Sequence, residues 1–471
     1  MQYSIVNYEK VKSFETIRLD AEYYKNEYLE IEDFINKNSK KFTTLKDLKL
    51  KIDGSAFYPA LEPFYNKGDL PFLRVSDINN FIDYDRSINI PLEIANEFKT
   101  LKCVNKGDIV VTKGGSIARV GLIEKESAAC RDLIFYDSSK LNEIDYTFLF
   151  VYFITDTYHN LLIRSSSMTA QPHLTLTLVK KIPIFKPSEE FKKIIFNIYK
   201  KSKENFDQSI MLYEKAEEKM LEILGVFPWD FKKNMFYIKK FSEVDKENRI
   251  DAEFHQPIYS ELEKHLIDNY SAVGIGSIKF INVTTGQYVN EYVDKNEGVP
   301  YIRGTDLSNG TVLMDELVYI DFSQQIDSKI AKENDVVVTR VGTIGLSSRI
   351  PKECEGGTIS DNLIRLRFNP EKINPYFLTL YLGSRLGKSF MIRYSRGSVQ
   401  QRLNQETLKE VVLPIINKNI QDELAQFVKK SEVKRKNAYE LLFISKKGVE
   451  IAIEKNEKEA MQWLNTKLAK V

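Results

Sequence analysis

The chain has 471 residues, 43% of them hydrophobic and 12% aromatic, with 68 Lys plus Arg against 66 Asp plus Glu. That is a globular composition, long enough for two to four domains with cores of their own, and it excludes a disordered chain. The charge balance excludes a blanket binder of polyanions and leaves local basic patches open.

Cys103, Cys130 and Cys354 stand apart with no CxxC pair, and there are only 4 histidines. This spacing excludes a structural zinc site and suggests a reducing compartment. The opening MQYSIVNYEK lacks the apolar core of a signal peptide, and the most apolar run, Phe148 to Ile154, is too short to span a bilayer. The expectation is a cytoplasmic chain with no membrane segment.

In chain order, residues 1–40 read as a short entry strand and then a helix over RLDAEYYKNEYLEIEDFINKN. From Phe42 to Asn142 the pattern is β, with LPFLRVSDI as a strand and turn and GDIVVTKGGSIARVGLI as two strands around a Gly-Gly turn. Ile109, Val110 and Val111 form an unbroken apolar run, as in a strand covered on both faces. Residues 145–164 read as a helix under the sheet, 174–181 as a short helix, and Ile182-Pro183-Ile184 as an exit strand.

From Ser188 to Gly225 there is no proline, and no glycine before the last position. Apolar residues recur at Phe191, Ile194, Ile198, Phe206, Ile210, Tyr213, Met220 and Leu224, along one side of a helix. Ser188 suits the N-cap, Glu189 and Glu190 suit the first turn, and Gly225 suits the stop. Such a helix is about 55 Å long at about 1.5 Å per residue. Residues 226–240, with Pro228, read as a crossover, and the plan then repeats. A helix is expected at 251–268, β structure over 275–368, a helix at 374–388, and a second long helix from about Asn419 to the C-terminus with a kink at Gly448. Each long helix carries an apolar seam, so the two are expected to pack antiparallel.

The repetition extends to particular residues. RLDAEY (18–23) matches RIDAEF (249–254), LPFLRVSDI (70–78) matches VPYIRGTDL (299–307), and GDIVVTK (107–113) matches NDVVVTR (334–340). Tyr146 matches Tyr376, Gln171 to Leu174 matches Gln400 to Leu403, Ile182-Pro183 matches Leu413-Pro414, and Phe191 matches Leu424. All fall in one order at an offset of about 230 residues, which marks a tandem duplication of a globular body followed by a long helix rather than a solenoid. The implied divisions are 1–186, 187–225, 226–416 and 417–471.

Catalytic signatures are missing. Lys113-Gly114-Gly115-Ser116 lacks phosphate-loop spacing and precedes a strand, and no GxGxxG follows a strand. Asn374-Pro375-Tyr376-Phe377 lacks the second proline of an amino-methyltransferase motif and reads as a helix start. His173 aligns with Arg402, a poor alternation for a general base. What recurs instead is donors. The first body offers Lys113, Ser116, Arg119, Arg164, Ser166, Gln171 and His173, and the second offers Arg340, Thr343, Arg393, Arg396, Gln400, Gln401 and Arg402. Arg and Gln make bidentate contacts with guanine and adenine edges, and Ser and Lys suit phosphates. Two such bodies held apart by helices suit the reading of two patches on double-stranded DNA.

On these paired blocks and the helix after each body, the chain resembles the specificity (S) subunit of type I restriction–modification systems along essentially its whole length. The resemblance implies an α+β chain: two homologous mixed α/β target-recognition domains joined by two long antiparallel helices in a pseudo-two-fold arrangement. It implies a bipartite DNA site, two docked methyltransferase (M) subunits, and two restriction (R) subunits as further partners. AdoMet, ATP and Mg belong to those partners, and the chain itself is non-catalytic with no cofactor and no metal. The second body's Thr339-Arg340-Val341-Gly342-Thr343 follows the family's Thr-Arg-x-Gly-Thr, whereas Lys113-Gly114-Gly115-Ser116 departs from it. The first long helix has Glu189-Glu190 in place of the usual Glu-Gln pair. The bodies differ most around 50–66, 80–100 and 275–297, so they are expected to read different half-sites. The competing readings are a protein–protein scaffold with two binding bodies, the specificity subunit of a methylation-only complex, and a self-sufficient methyltransferase or nuclease, which the missing motifs disfavour.

Overall fold

A computed structural model describes residues 6–12, 19–45, 47–48, 50–56, 60–84, 87–166, 173–228, 233–308, 310–314, 317–397 and 401–469. The chain forms two compact units, Met1–Phe206 with Asn437–Val471, and Asp207–Lys436. Each unit holds one body and part of each long helix.

In the first unit, one sheet has the strand order Lys51–Gly54, Leu133–Asp137, Ile109–Thr112, Val120–Leu122, with every neighbour antiparallel. A second sheet runs Ile88–Ile90, Leu70–Leu73, Ser127–Ala129, Lys102–Val104, and its central pair is parallel. The Ile109–Thr112 strand is buried at every residue, as its unbroken apolar run requires. Phe72, Leu73, Ile90, Val104, Val110 and Leu133 form the core between the sheets. The helix expected over 145–164 is two helices, Glu143–Phe153 and Asp156–Arg164. They divide at Thr155, whose hydroxyl accepts the Tyr158 N–H and caps the second. The exit strand Ile184–Phe185 pairs with Phe42–Thr43 and closes the body. Where residues 1–40 are described at their start, the chain is a short helix, Tyr8–Lys12, and not an entry strand.

The second unit repeats this plan. Its first sheet runs Asn282–Thr285, Leu363–Arg367, Val336–Thr339, Ser347–Arg349. Its second runs Val318–Ile320, Val299–Ile302, Thr358–Ile359, again with one parallel pair. Pro375–Gly383 and Arg385–Tyr394 follow, divided at Ser384 as the first pair is at Thr155. Asn142 and Asn374 each accept a backbone N–H at a helix start, which confirms the Asn-Pro run as a cap. Side-chain bonds recur as well: Tyr152 Oη donates to Pro183 O at 2.7 Å, and Tyr381 Oη donates to Val412 O at 2.5 Å.

The long helices are Glu189–Ile223 and Lys418–Glu454. In the first unit Ser202 Oγ donates to Ala438 O at 2.5 Å, and Ser188 N donates to Glu457 at 2.8 Å. In the second unit Ser431 Oγ donates to Ser209 O at 2.6 Å, and Lys219 pairs with Glu423. In the second unit the residue number rises on one helix as it falls on the other, so the helices pack antiparallel there. Phe191, Ile198, Phe206, Tyr213, Met220 and Leu224 are buried as the periodicity predicts, while Ile194 and Ile210 are only half-buried. The second helix continues through Gly448, where a kink was expected, and ends at Glu454 short of the C-terminus. A separate helix, Glu457–Leu468, folds back instead. A Cβ at Gly448 would lie 2.6 Å from Leu464 Cδ2, so the glycine admits the returning helix.

Candidate nucleic-acid interface

In each body the strand that carries the repeated Thr runs into a tight loop. In the first, Thr112 Oγ1 donates to Ser116 O at 2.5 Å and accepts the Arg119 N–H at 2.9 Å. Ala118 N donates to Thr112 O, Lys113 N to Asp132 O, and Leu174 N to Lys113 O. Gly115 and Ala118 have positive φ, +70° and +64°. In the second, Thr339 Oγ1 donates to Thr343 O and accepts the Leu346 N–H at 3.0 Å. Gly345 N donates to Thr339 O, Arg340 N to Asn362 O, and Leu403 N to Arg340 O. Gly342 and Gly345 have φ +75° and +84°. Each of these bonds has its counterpart in the other loop. The duplication therefore preserves a loop whose tip stands clear of the sheet and which is stitched to a second segment, at 173–174 or at 402–403.

That second segment is more elaborate in the second body. Arg396 N donates to Arg402 O at 2.9 Å and Arg402 N returns to Arg396 O at 2.7 Å. Arg340 Nε donates to Leu403 O at 3.1 Å and its NH1 to Asp361 O at 3.3 Å. Arg340 thus fastens its loop to the segment at Leu403. In the first body His173 closes over Gly114, since a Cβ there would lie 2.9 Å from His173 Cε1 and 3.1 Å from Asp132 Oδ1. This accounts for Lys-Gly-Gly-Ser where the other body has Arg-Val-Gly-Thr: the imidazole leaves no room for a side chain at 114.

The expected donors divide into three groups. Ser116, His173, Thr343, Arg396, Gln401 and Arg402 are exposed on these loops, with Lys113, Arg119 and Arg340 half-buried beside them. Gln171 and Gln400 lie outside the described residues. Arg164, Ser166 and Arg393 are buried and do not face outward, which corrects the expectation for all three. Ser166 Oγ donates to Ile163 O at 2.7 Å and finishes a helix. Arg164 lies over the Tyr23 ring at 4.4 Å, donates to Tyr23 O at 3.1 Å and pairs with Glu32 at 3.3 Å. Arg393 lies over Phe254 at 4.8 Å, donates to Phe254 O at 3.1 Å and pairs with Glu263 at 2.6 Å. Both weld the entry helix of their body, Asn26–Lys37 or Pro257–Tyr270, to the helix beneath the sheet. Buried guanidinium groups paired in this way are structural. Sequence reasoning passed over the residues that shape the loops, Thr112 and Thr339 above all, although both stand in its repeated blocks.

The thiols offer no nucleophile. Burial pushes Cys130 up to about 11 and Cys354 to about 12, and raises Cys103. Among the described residues no group of His, Cys, Asp and Glu could hold a metal ion, and no helix is long and apolar enough to cross a membrane.

Residues 36–215 and 278–438 both match the type I restriction modification DNA specificity domain. The chain belongs to that family. The type I restriction enzyme EcoBI specificity subunit of Escherichia coli is 31% identical over 144 residues, 29% of this chain and 29% of that protein. The match therefore spans under a third of that relative. Among solved structures, the S subunit of a type I restriction-modification system from M. genitalium aligns over 90% of this chain and 95% of its own at 12% identity and a TM-score of 0.33. The HsdS subunit from Thermoanaerobacter tengcongensis aligns over 86% of this chain and 97% of its own at 14% identity and a TM-score of 0.29. This specificity-family chain carries the family domain twice, and each copy includes one of the two stitched loops.

Proposed function

We propose that the chain reads a bipartite DNA site, one block per body, and positions methyltransferase subunits on it without bond chemistry of its own. On this reading residues 1–186 and 226–416 are the target-recognition domains, and 187–225 and 417–471 are the spacer helices. Two M subunits dock on the assembly and supply AdoMet-dependent methylation, and R subunits, where present, supply ATP- and Mg-dependent cleavage in the cytoplasm. The observation that carries the reading is the duplicated loop, with the same bonds in both copies and different exposed side chains. Ser116 and His173 stand in one copy, and Thr343, Arg396, Gln401 and Arg402 in the other. Conserved scaffolds with divergent donors suit two half-sites of different sequence.

The test is to co-express the full chain with its methyltransferase partner and sequence the methylated bases of the host genome. The expected outcome is modification at two short blocks separated by a fixed gap. Modification at one continuous site, or none that depends on this chain, overturns the reading.

A further inference from the structure

The repeated RLDAEY/RIDAEF block is the strongest feature of the duplication that the recognition loops leave unexplained. Its role is visible in the second body. Arg249 is nearly buried, its side chain 12% exposed, and lies over the Phe254 ring at 4.3 Å. Asp251 holds one edge of the guanidinium in a two-point pair, Nε to Oδ2 at 2.8 Å and NH2 to Oδ1 at 3.0 Å. The same Asp251 Oδ1 accepts the Phe254 N–H at 3.1 Å, which fixes the ring's place beneath the guanidinium. The remaining donors reach across the body. NH1 donates to Arg393 O at 3.3 Å and NH2 to Ser395 O at 3.0 Å. These carbonyls end the Arg385–Tyr394 helix, where the last C=O groups lack helical partners and the helix dipole favours a cation. The next residue, Arg396, pairs with Arg402. Arg393, one of the two clamped residues, is itself held by Phe254 and Glu263.

We infer that Arg249 is a positioning residue for DNA readout: with Asp251 and Phe254 it fixes the backbone that leads into Arg396, and so the place of the paired residues Arg396 and Arg402. The inference rests on the DNA-specificity reading and goes beyond it by naming a residue that shapes specificity without touching DNA. A planar fork bridging two carbonyls, a carboxylate and a ring sets direction, which a lone ammonium cannot do. An Arg396–Arg402 pair let loose at Arg396 presents the same side chains over a wider spread of positions, so the wrong base is rejected less well.

The experiment uses the full chain co-expressed with its methyltransferase partner, scored by sequencing of methylated sites and by binding to duplexes with single changes in either block. Arg249→Met is expected to lower discrimination at the second block by about ten-fold, the scale of one well-made base contact, with the first block unchanged. The salt dependence of binding stays that of the unaltered chain. Arg249→Lys is expected to fall between the two. Wild-type discrimination at the second block in Arg249→Met overturns the inference, and so does a salt slope shallower by about one, which would make Arg249 a phosphate contact. If Arg249→Met lowers the melting temperature too far to assay, Asp251→Asn releases the fork while leaving the arginine in place and is expected to relax the second block alone. Should the unaltered complex modify no two-block site, it is the specificity reading that fails.

Discussion

The two stitched loops share the bonds of their repeated threonines and differ in what hangs from them. In the first, a histidine closes over a glycine. In the second, Arg340 ties the loop to Leu403, next to the exposed Gln401 and Arg402. The comparison teaches that duplication has kept the backbone and released the side chains. Bonds made by Thr112 and Thr339 are indifferent to the residues between them, so a body can change what it reads without rebuilding its sheet. The buried arginines Arg164 and Arg393 fall on the kept side of that division.

The largest effect is therefore expected where the halves agree. Arg164→Ala and Arg393→Ala each remove the guanidinium paired with a partly buried glutamate and empty a stack on an aromatic ring. Breaking a buried pair in this way costs about 3–5 kcal/mol. Denaturant midpoints should show both variants destabilised by similar amounts. A marked difference between them would break the equivalence of the two bodies.

A smaller and one-sided effect is expected where the halves differ. Arg402→Ala should reduce discrimination at the second block by about 1–3 kcal/mol and leave the first unchanged, and His173→Ala should do the reverse. Selection from duplex pools randomised in one block at a time measures both. Loss at both blocks from either substitution would assign these residues to shared backbone contacts.

How much of this was legible in the sequence follows the same division. The blocks of the repeat, the doubly covered strand Ile109–Thr112, the asparagine caps and the two loops could be read because each is local or recurs at one offset. Arg164 and Arg393 misled because an arginine beside serines at a helix end looks solvent-facing, and its partner lies far off: Glu32 is 132 residues from Arg164. One available signal was that Glu32 and Glu263 stand 231 residues apart, close to the 229 that relate the arginines and within the spread of offsets of the repeat. Ser202, Ser209 and Ser431 are buried in the helix seam, where period counting looked for apolar residues. A serine at such a position is small, and the hydroxyls of Ser202 and Ser431 bond to a carbonyl of the facing helix. The break before Glu457 was assigned to Gly448, because a glycine admitting a close neighbour and a glycine bending a helix look alike in one dimension.

The loops also differ at a position that tests backbone alone. Ala118 and Gly345 occupy the same left-handed turn, at φ +64° and +84°. Ala118→Gly removes a Cβ from a conformation that L residues adopt at a cost, and is expected to stabilise the first unit by about 1 kcal/mol or less once chain entropy is set against it. Gly345→Ala adds that strain, and its Cβ would lie 3.1 Å from Lys388 Cγ and Met391 Cε. A loss of about 1–2 kcal/mol is expected. Thermal melts of the reciprocal pair measure it, and changes of the same sign would show that the two turns are not equivalent.

The smallest effect concerns acid. Against the upward push of partial burial, the hydrogen bonds and charge of Arg249 and the Phe254 N–H hold the Asp251 carboxyl below its ordinary value. A lowered folded value means that ionised Asp251 contributes stability above the unfolded value, about 3.9, and that the contribution is lost as pH falls through the folded one. The gap in denaturant midpoint between the unaltered chain and Asp251→Asn should therefore be steady at neutral pH and narrow only below about pH 4. Asp20 stands at the matching place in the first repeat. If the clamp belongs to the kept side of the duplication, Asp20→Asn should show the same narrowing at the same pH. A gap that stays flat would confine the clamp to the second body.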